Sequence, residues 1–164
     1  MKRKIYNEML LWKQNAQGKS ALMIDGARRI GKSYIVEEFA KNEYKSYILV
    51  DFNNADDNLI EIFDKYLRNL DVFFSYLALY YNVTLYPRDT VIVFDEVQLY
   101  PKARAAIKYL VKDGRYDYIE TGSLVSINRN VKDIVIPSEE HRINMYPMDF
   151  EEFLWAVGDE QLMP

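Results

Sequence analysis

GARRIGKS, residues 26–33, stands between the apolar run ALMID (21–25) and a stretch that begins YIVEEFA (34–40). The chain has six glycines in 164 residues, yet two of them, Gly26 and Gly31, lie five apart here, with Lys32 and Ser33 directly after the second. The pattern G-x-x-x-x-G-K-S predicts a phosphate-binding loop, provided a strand precedes it and a helix follows. ALMID reads as a short buried strand. Ile35, Val36, Phe39 and Ala40 share one helical face, with Glu37, Glu38 and Lys41 on the other. Glycine lets the backbone wrap closely, so that successive N–H groups point inward, and the helix starting near Lys32 adds the positive end of its dipole. Gly26, Ala27, Arg28, Arg29, Ile30, Gly31, Lys32, Ser33 and Tyr34 are therefore expected to cradle a polyphosphate. Lys32 would reach the β- and γ-phosphates and Ser33 Oγ would ligate Mg²⁺. Arg28 and Arg29 read as exposed charges that add general attraction to phosphate.

Outward from the loop, TVIVFD (90–95) is an apolar, β-branched run typical of a strand buried on both faces, and it exits into Asp95-Glu96. Beside a complete phosphate loop, Asp95 is expected to hold a water on Mg²⁺ opposite Ser33. Glu96 is expected to orient or deprotonate the water that attacks the γ-phosphate. A further strand exit, IETGSL (119–124), offers the Thr121 and Ser123 hydroxyls around Gly122, either of which could bond the γ-phosphate or the attacking water; turn chemistry is the plainer use of the same residues. The spacing of Ile5, Met9 and Trp12 predicts a helix over 2–14. SYILVDF (46–52) reads as a strand, Leu59, Ile62, Phe63, Tyr66, Leu67 and Leu70 as one helical stripe, and 72–81 as a second helix. Pro101 opens a helix that Gly114 closes, YDYIET (116–121) and RINMY (142–146) read as strands, and FEEFLWAV (150–157) begins a last helix. Alternating strands and helices imply an α/β fold, a mostly parallel sheet in three layers with ligands at the carboxyl ends of the strands.

Composition bounds the rest. At 164 residues and 49% apolar content, the length prior gives one domain over 1–164, and a chain that stops soon after its last helix starts suggests a core cut from something longer. A net charge of −4 argues against nucleic acid as a whole-surface partner, and the MKRK start reads as a solvated helical turn. With no cysteine and one histidine, any metal must be oxygen-bound. The charged N-terminus lacks a signal-peptide core, and the longest uncharged run, 72–87, is too short and polar to span a membrane, so a cytoplasmic protein without membrane association is expected.

Together GARRIGKS, VIVFDE, the following VQLYPKAR, ETGS and the closing YPMDFEEFL resemble the AAA-superfamily ATPases of bacteria and archaea whose phosphate loop reads GARR-x-GKS. The resemblance spans nearly the whole chain. It implies ATP with Mg²⁺ and a P-loop NTPase sheet of five core strands in the order 5-1-4-3-2. The sensor strand then lies between the phosphate-loop strand and the Asp-Glu strand, with Thr121 and Ser123 toward the γ-phosphate. Members usually continue into a helical or winged-helix region and often a nuclease-like C-terminal domain. A protein partner, self-association, or nucleic acid held through such a missing domain thus stays open. The family often has Gly-Arg where this chain has His141-Arg142, so two readings of Arg142 stay open: a contact to phosphate, in cis or for a neighbouring subunit, and an ordinary surface charge.

A GTPase would need Asp-x-x-Gly after the metal-site strand and Asn-Lys-x-Asp for guanine; residues 95–98 are DEVQ and residues 130–133 are NVKD. A small-molecule kinase ranks third, because Glu96 directly after Asp95 favours water as the nucleophile. The expected function is Mg-dependent ATP binding and hydrolysis, with Glu96, Lys32, Thr121 and Ser123 catalytic and Ser33 and Asp95 at the metal. The alternative is an ATP-gated binding switch in which hydrolysis only resets the state. Weak hydrolysis is expected of the chain alone. Tyr6 and Trp12 are candidates for the adenine, although such aromatics are more often core.

Overall fold

The buried run Ala21–Asp25 is β1, and the equally buried Thr90–Asp95 is β3. Around them a computed structural model, describing residues 4–26, 31–123 and 140–146, builds the remaining elements. These are α1 (Lys4–Ala16), α2 (Lys32–Glu43), β2 (Ser46–Asp51), α3 (Asp57–Tyr66), α4 (Leu70–Tyr81), α5 (Pro101–Asp113), β4 (Asp117–Gly122) and β5 (Glu140–Asn144). The five strands form one sheet in the order β2-β3-β4-β1-β5, with every neighbouring pair parallel. This is the expected order, 5-1-4-3-2, read from the opposite edge.

Because strand side chains alternate, each central strand feeds two cores. Met23, Ile48, Ile92, Phe94 and Tyr118 face α3, α4 and α5. Leu22, Ile24, Val91, Val93 and Ile119 face α1 and α2, where they meet Met9, Trp12, Val36 and Phe39. The first core is aromatic: Phe63 lies edge-on to Phe73 and Phe94, with ring centroids 5.2 and 5.6 Å apart. No helix among the described residues is long and apolar enough to cross a membrane.

Local chemistry fixes the element ends. Asp56 caps α3 by accepting from Leu59 N at 2.9 Å. Pro101 occupies the first turn of α5, and Gly114, at φ 78°, closes that helix in the left-handed conformation. Several boundaries differ from the sequence expectation. The first helix runs on to Ala16 rather than ending at 14, its expected start at 2 lying outside the described residues, and β4 is 117–122 rather than 116–121. Leu70 opens α4 instead of ending the α3 stripe, because Asn69 N bonds back to Tyr66 O at 3.0 Å and the Asn69 side chain accepts from Val72 N. Among the described residues β5 is Glu140–Asn144 rather than 142–146, and the Glu140 side chain is buried against Arg104 of α5. The helix expected from Phe150 lies outside the described residues.

Parallel strands all end on the same edge, so the sheet order brings the carboxyl ends of β1, β3 and β4 side by side. Main-chain bonds continue that edge past the strands: Gly26 N donates to Gly122 O at 3.1 Å and Met145 N to Asp25 O at 2.7 Å.

Candidate functional site

Gly31, at φ 89°, turns the chain into α2, and its carbonyl accepts the first helical bond from Ile35 N at 3.1 Å. A left-handed φ here is open to glycine at no steric cost. The turn places Lys32 and Ser33 at the start of the helix, over the ends of β1, β4 and β3. Lys32 is 3% exposed. Its ammonium donates to Gly26 O and, at 3.3 Å, to Gly122 O, and lies 3.8 Å from Glu96 Oε1. The cation is thus held on main-chain oxygens at two strand ends, within reach of one carboxylate.

Ser33 Oγ lies 2.9 and 3.0 Å from the two Asp95 carboxylate oxygens, to which it donates. Thr121 Oγ1 donates to Asp95 Oδ1 at 2.5 Å and accepts from Glu96 N at 2.9 Å. One hydroxyl therefore ties the exit of β4 to both acidic residues at the exit of β3. Burial drives the Asp95 carboxyl above its ordinary range; the bonds from Thr121 and Ser33 oppose this, and the neighbouring charges of Glu96 and Asp51 reinforce it. Together with the Ser33 hydroxyl the Asp95 carboxyl offers hard oxygen donors, the set that suits Mg²⁺. The residues fit that ion.

Glu96 adopts a left-handed backbone, φ 57° and ψ 52°, uncommon for a residue with a Cβ and concentrated at functional sites. It starts the short 3₁₀ turn Val97–Leu99, and its Oε2 accepts from Gln98 Nε2 at 2.5 Å. Ser33, Tyr34, Glu37, Asp51, Asp95 and Glu96 line a cavity of about 410 Å³ beside the cluster.

Lys32, Ser33, Asp95, Glu96 and Thr121 thus come together. Ser123 lies one residue past the end of β4 and makes no side-chain hydrogen bond among the described residues. Tyr34 is 56% exposed at the mouth of the cavity. Ala27, Arg28, Arg29 and Ile30 lie outside the described residues. Arg142 pairs with Glu140 at 3.5 Å, and His141 is exposed on the edge strand. The adenine candidates are packed otherwise: Tyr6 bonds Glu43 at 2.6 Å and lies edge-on to Phe39, while Trp12 is a buried core residue. Sequence reasoning missed Gln98 and the strand-end carbonyls of Gly26 and Gly122. An amide two residues after the Asp-Glu pair was the available signal for Gln98, but its spacing has no meaning until the left-handed turn at Glu96 is known.

A family model described as an AAA domain matches residues 18–154. Among solved structures, the C. elegans protein PCH-2 is similar over 96% of this chain and 46% of its own, at 10% identity and a TM-score of 0.43. That likeness adds no weight of its own, and this chain spans about half the length of the protein it matches. No curated protein matched. The family match covers most of the chain and includes residues 26–33, Asp95 and Glu96, so the chain belongs to the AAA domain family, among the AAA-type P-loop ATPases.

Proposed function

We propose that the chain binds Mg–ATP at the 26–34 loop and hydrolyses it, with water as the nucleophile. The observation that carries this reading is the contact between Ser33 Oγ and the Asp95 carboxylate, with Glu96 and Lys32 flanking it. In the proposed complex, Lys32 exchanges its carbonyl partners for the β- and γ-phosphates, and the helix start and loop amides surround the same oxygens. Ser33 and Asp95 would hold Mg²⁺, which would supply neutralisation of the phosphate charge. Glu96 accepts the proton of the attacking water and orients it for in-line approach. Thr121 keeps Asp95 and the Glu96 backbone in register, and Ser123 is left as a candidate contact to the γ-phosphate.

The 3.8 Å contact of Lys32 with Glu96 favours a second reading, an ATP-gated switch. In the free chain the phosphate-binding cation and the proton acceptor hold each other, so nucleotide entry must separate them. Such a separation could drive a partner or further domain, with cleavage only resetting the state. Phosphate released per bound nucleotide in excess Mg–ATP distinguishes the two. Turnover beyond one supports the hydrolase and one or less the switch. Under either reading Glu96→Gln retains nucleotide and slows cleavage by about 10²- to 10⁴-fold in a single-turnover assay. Cleavage by that variant at the parental rate would remove Glu96 as the base.

A further inference from the structure

Glu96 is held by two groups of unlike permanence. Lys32, on Oε1, is the cation that the proposed function moves onto the phosphates. Gln98, on Oε2, stays where it is: its side chain is 2% exposed, and it belongs to a turn closed by Leu99 N to Glu96 O and Tyr100 N to Val97 O, both at 3.0 Å. A carboxylate only accepts, so the amide must present its NH₂ and not its carbonyl. The carbonyl Oε1 is buried without a partner among the described residues. An apolar side chain of the same size would fill this space without leaving a polar atom unmatched, so packing does not account for an amide here.

We propose that Gln98 is the positioning residue for the general base. Once Lys32 has turned to the phosphates, the Gln98 amide alone among the described contacts fixes the Glu96 carboxylate and keeps its Oε1 lone pairs available for the attacking water. Gln98 touches neither nucleotide nor water; it acts through Glu96, and this inference rests on reading Glu96 as the base. The left-handed backbone at Glu96 makes the arrangement local, bringing a side chain only two residues on back to the carboxylate.

The test compares Gln98→Met and Gln98→Leu, both close in volume and both without a donor, with the parental chain. Both are expected to lower kcat by about 10²-fold, the cost of a misplaced catalytic group. KM and Mg–ATP affinity should stay within about twofold, since no ground-state contact is lost. A second readout needs no turnover and no variant at Gln98. In the ligand-free parental protein, the Gln98 side-chain amide should be protected from solvent exchange in ¹H–¹⁵N spectra, and its resonances should move on Glu96→Gln while those of the other glutamines stay. Parental kcat in either Gln98 variant, or a freely exchanging amide that ignores Glu96→Gln, overturns the proposal. If Glu96→Gln itself cleaves at the parental rate, the base assignment falls and this proposal with it. If Glu96→Gln is slow and Gln98→Met is not, only the positioning role is lost.

Discussion

Thr121 decides how the acidic pair is presented, because its single hydroxyl serves Asp95 Oδ1 and Glu96 N at once. Thr121→Val keeps the shape and strips both bonds, leaving buried polar groups unmatched. A loss of about 1–3 kcal/mol in denaturant unfolding is expected. Ser123→Ala, beyond the strand end, should stay within about 0.5 kcal/mol. Equal losses in the two variants would show that the hydroxyl bonds at Thr121 are not what holds this edge. The pair could not be ranked from the sequence, where Thr-Gly-Ser reads alike in either phase. The phase of β4, ending at Gly122 with Thr121 inside the sheet, separates them. The convergence of Gly26, Lys32, Ser33, Asp95 and Glu96 was legible because short-range spacing and their place at strand exits set it. Gln98 was not, because its contact depends on a backbone conformation that no residue type announces.

The strands tell the same story one level up. β1 and β3 matched their apolar runs to the residue, since both lie in the sheet interior and loop signals bound them. β5 did not, because its described residues reach back past the expected start at Arg142 to a glutamate, Glu140. Glu140 is buried by a 2.9 Å pair with Arg104 and lies beside Glu120 of β4. No donor among the described residues reaches either Glu120 oxygen or Glu140 Oε2, so the proton between the two carboxyls is carried by one of them. Burial and the bond to Glu140 hold Glu120 well above its ordinary value of 4.5, while Arg104 and Arg142 pull the other way. Native Glu120 thus keeps its proton over a range in which the unfolded chain has lost it, and its contribution to stability declines as pH rises from 4.5 through the raised value. Glu120→Gln donates to Glu140 without titrating. Its stability should gain on that of the parental chain as pH rises, by up to about 1 kcal/mol per pH unit, with the gap closing toward acid. Parallel denaturation curves at several pH values read this difference; a constant gap would mean that Glu120 ionises normally.

At the scale of the whole molecule, a parallel sheet covered by α1 and α2 on one face and by α3, α4 and α5 on the other leaves its strand ends as the place where backbone and side chains converge. The order of the strands sets Lys32 between the ends of β1 and β4 and Ser33 against the end of β3, so the fold itself assembles the candidate site from segments far apart in sequence. The alternation of strand and helix made this architecture legible early, and the family match agrees with it. What remains to be measured is whether the assembled site takes a triphosphate. Calorimetric titration of Mg–ATP into the parental chain and into Lys32→Ala tests that most directly. One nucleotide per chain is expected, with affinity reduced by about 10- to 100-fold or more in the variant, the worth of a charge-assisted bond to phosphate. No binding by the parental chain, or equal affinity in the two, would contradict the account.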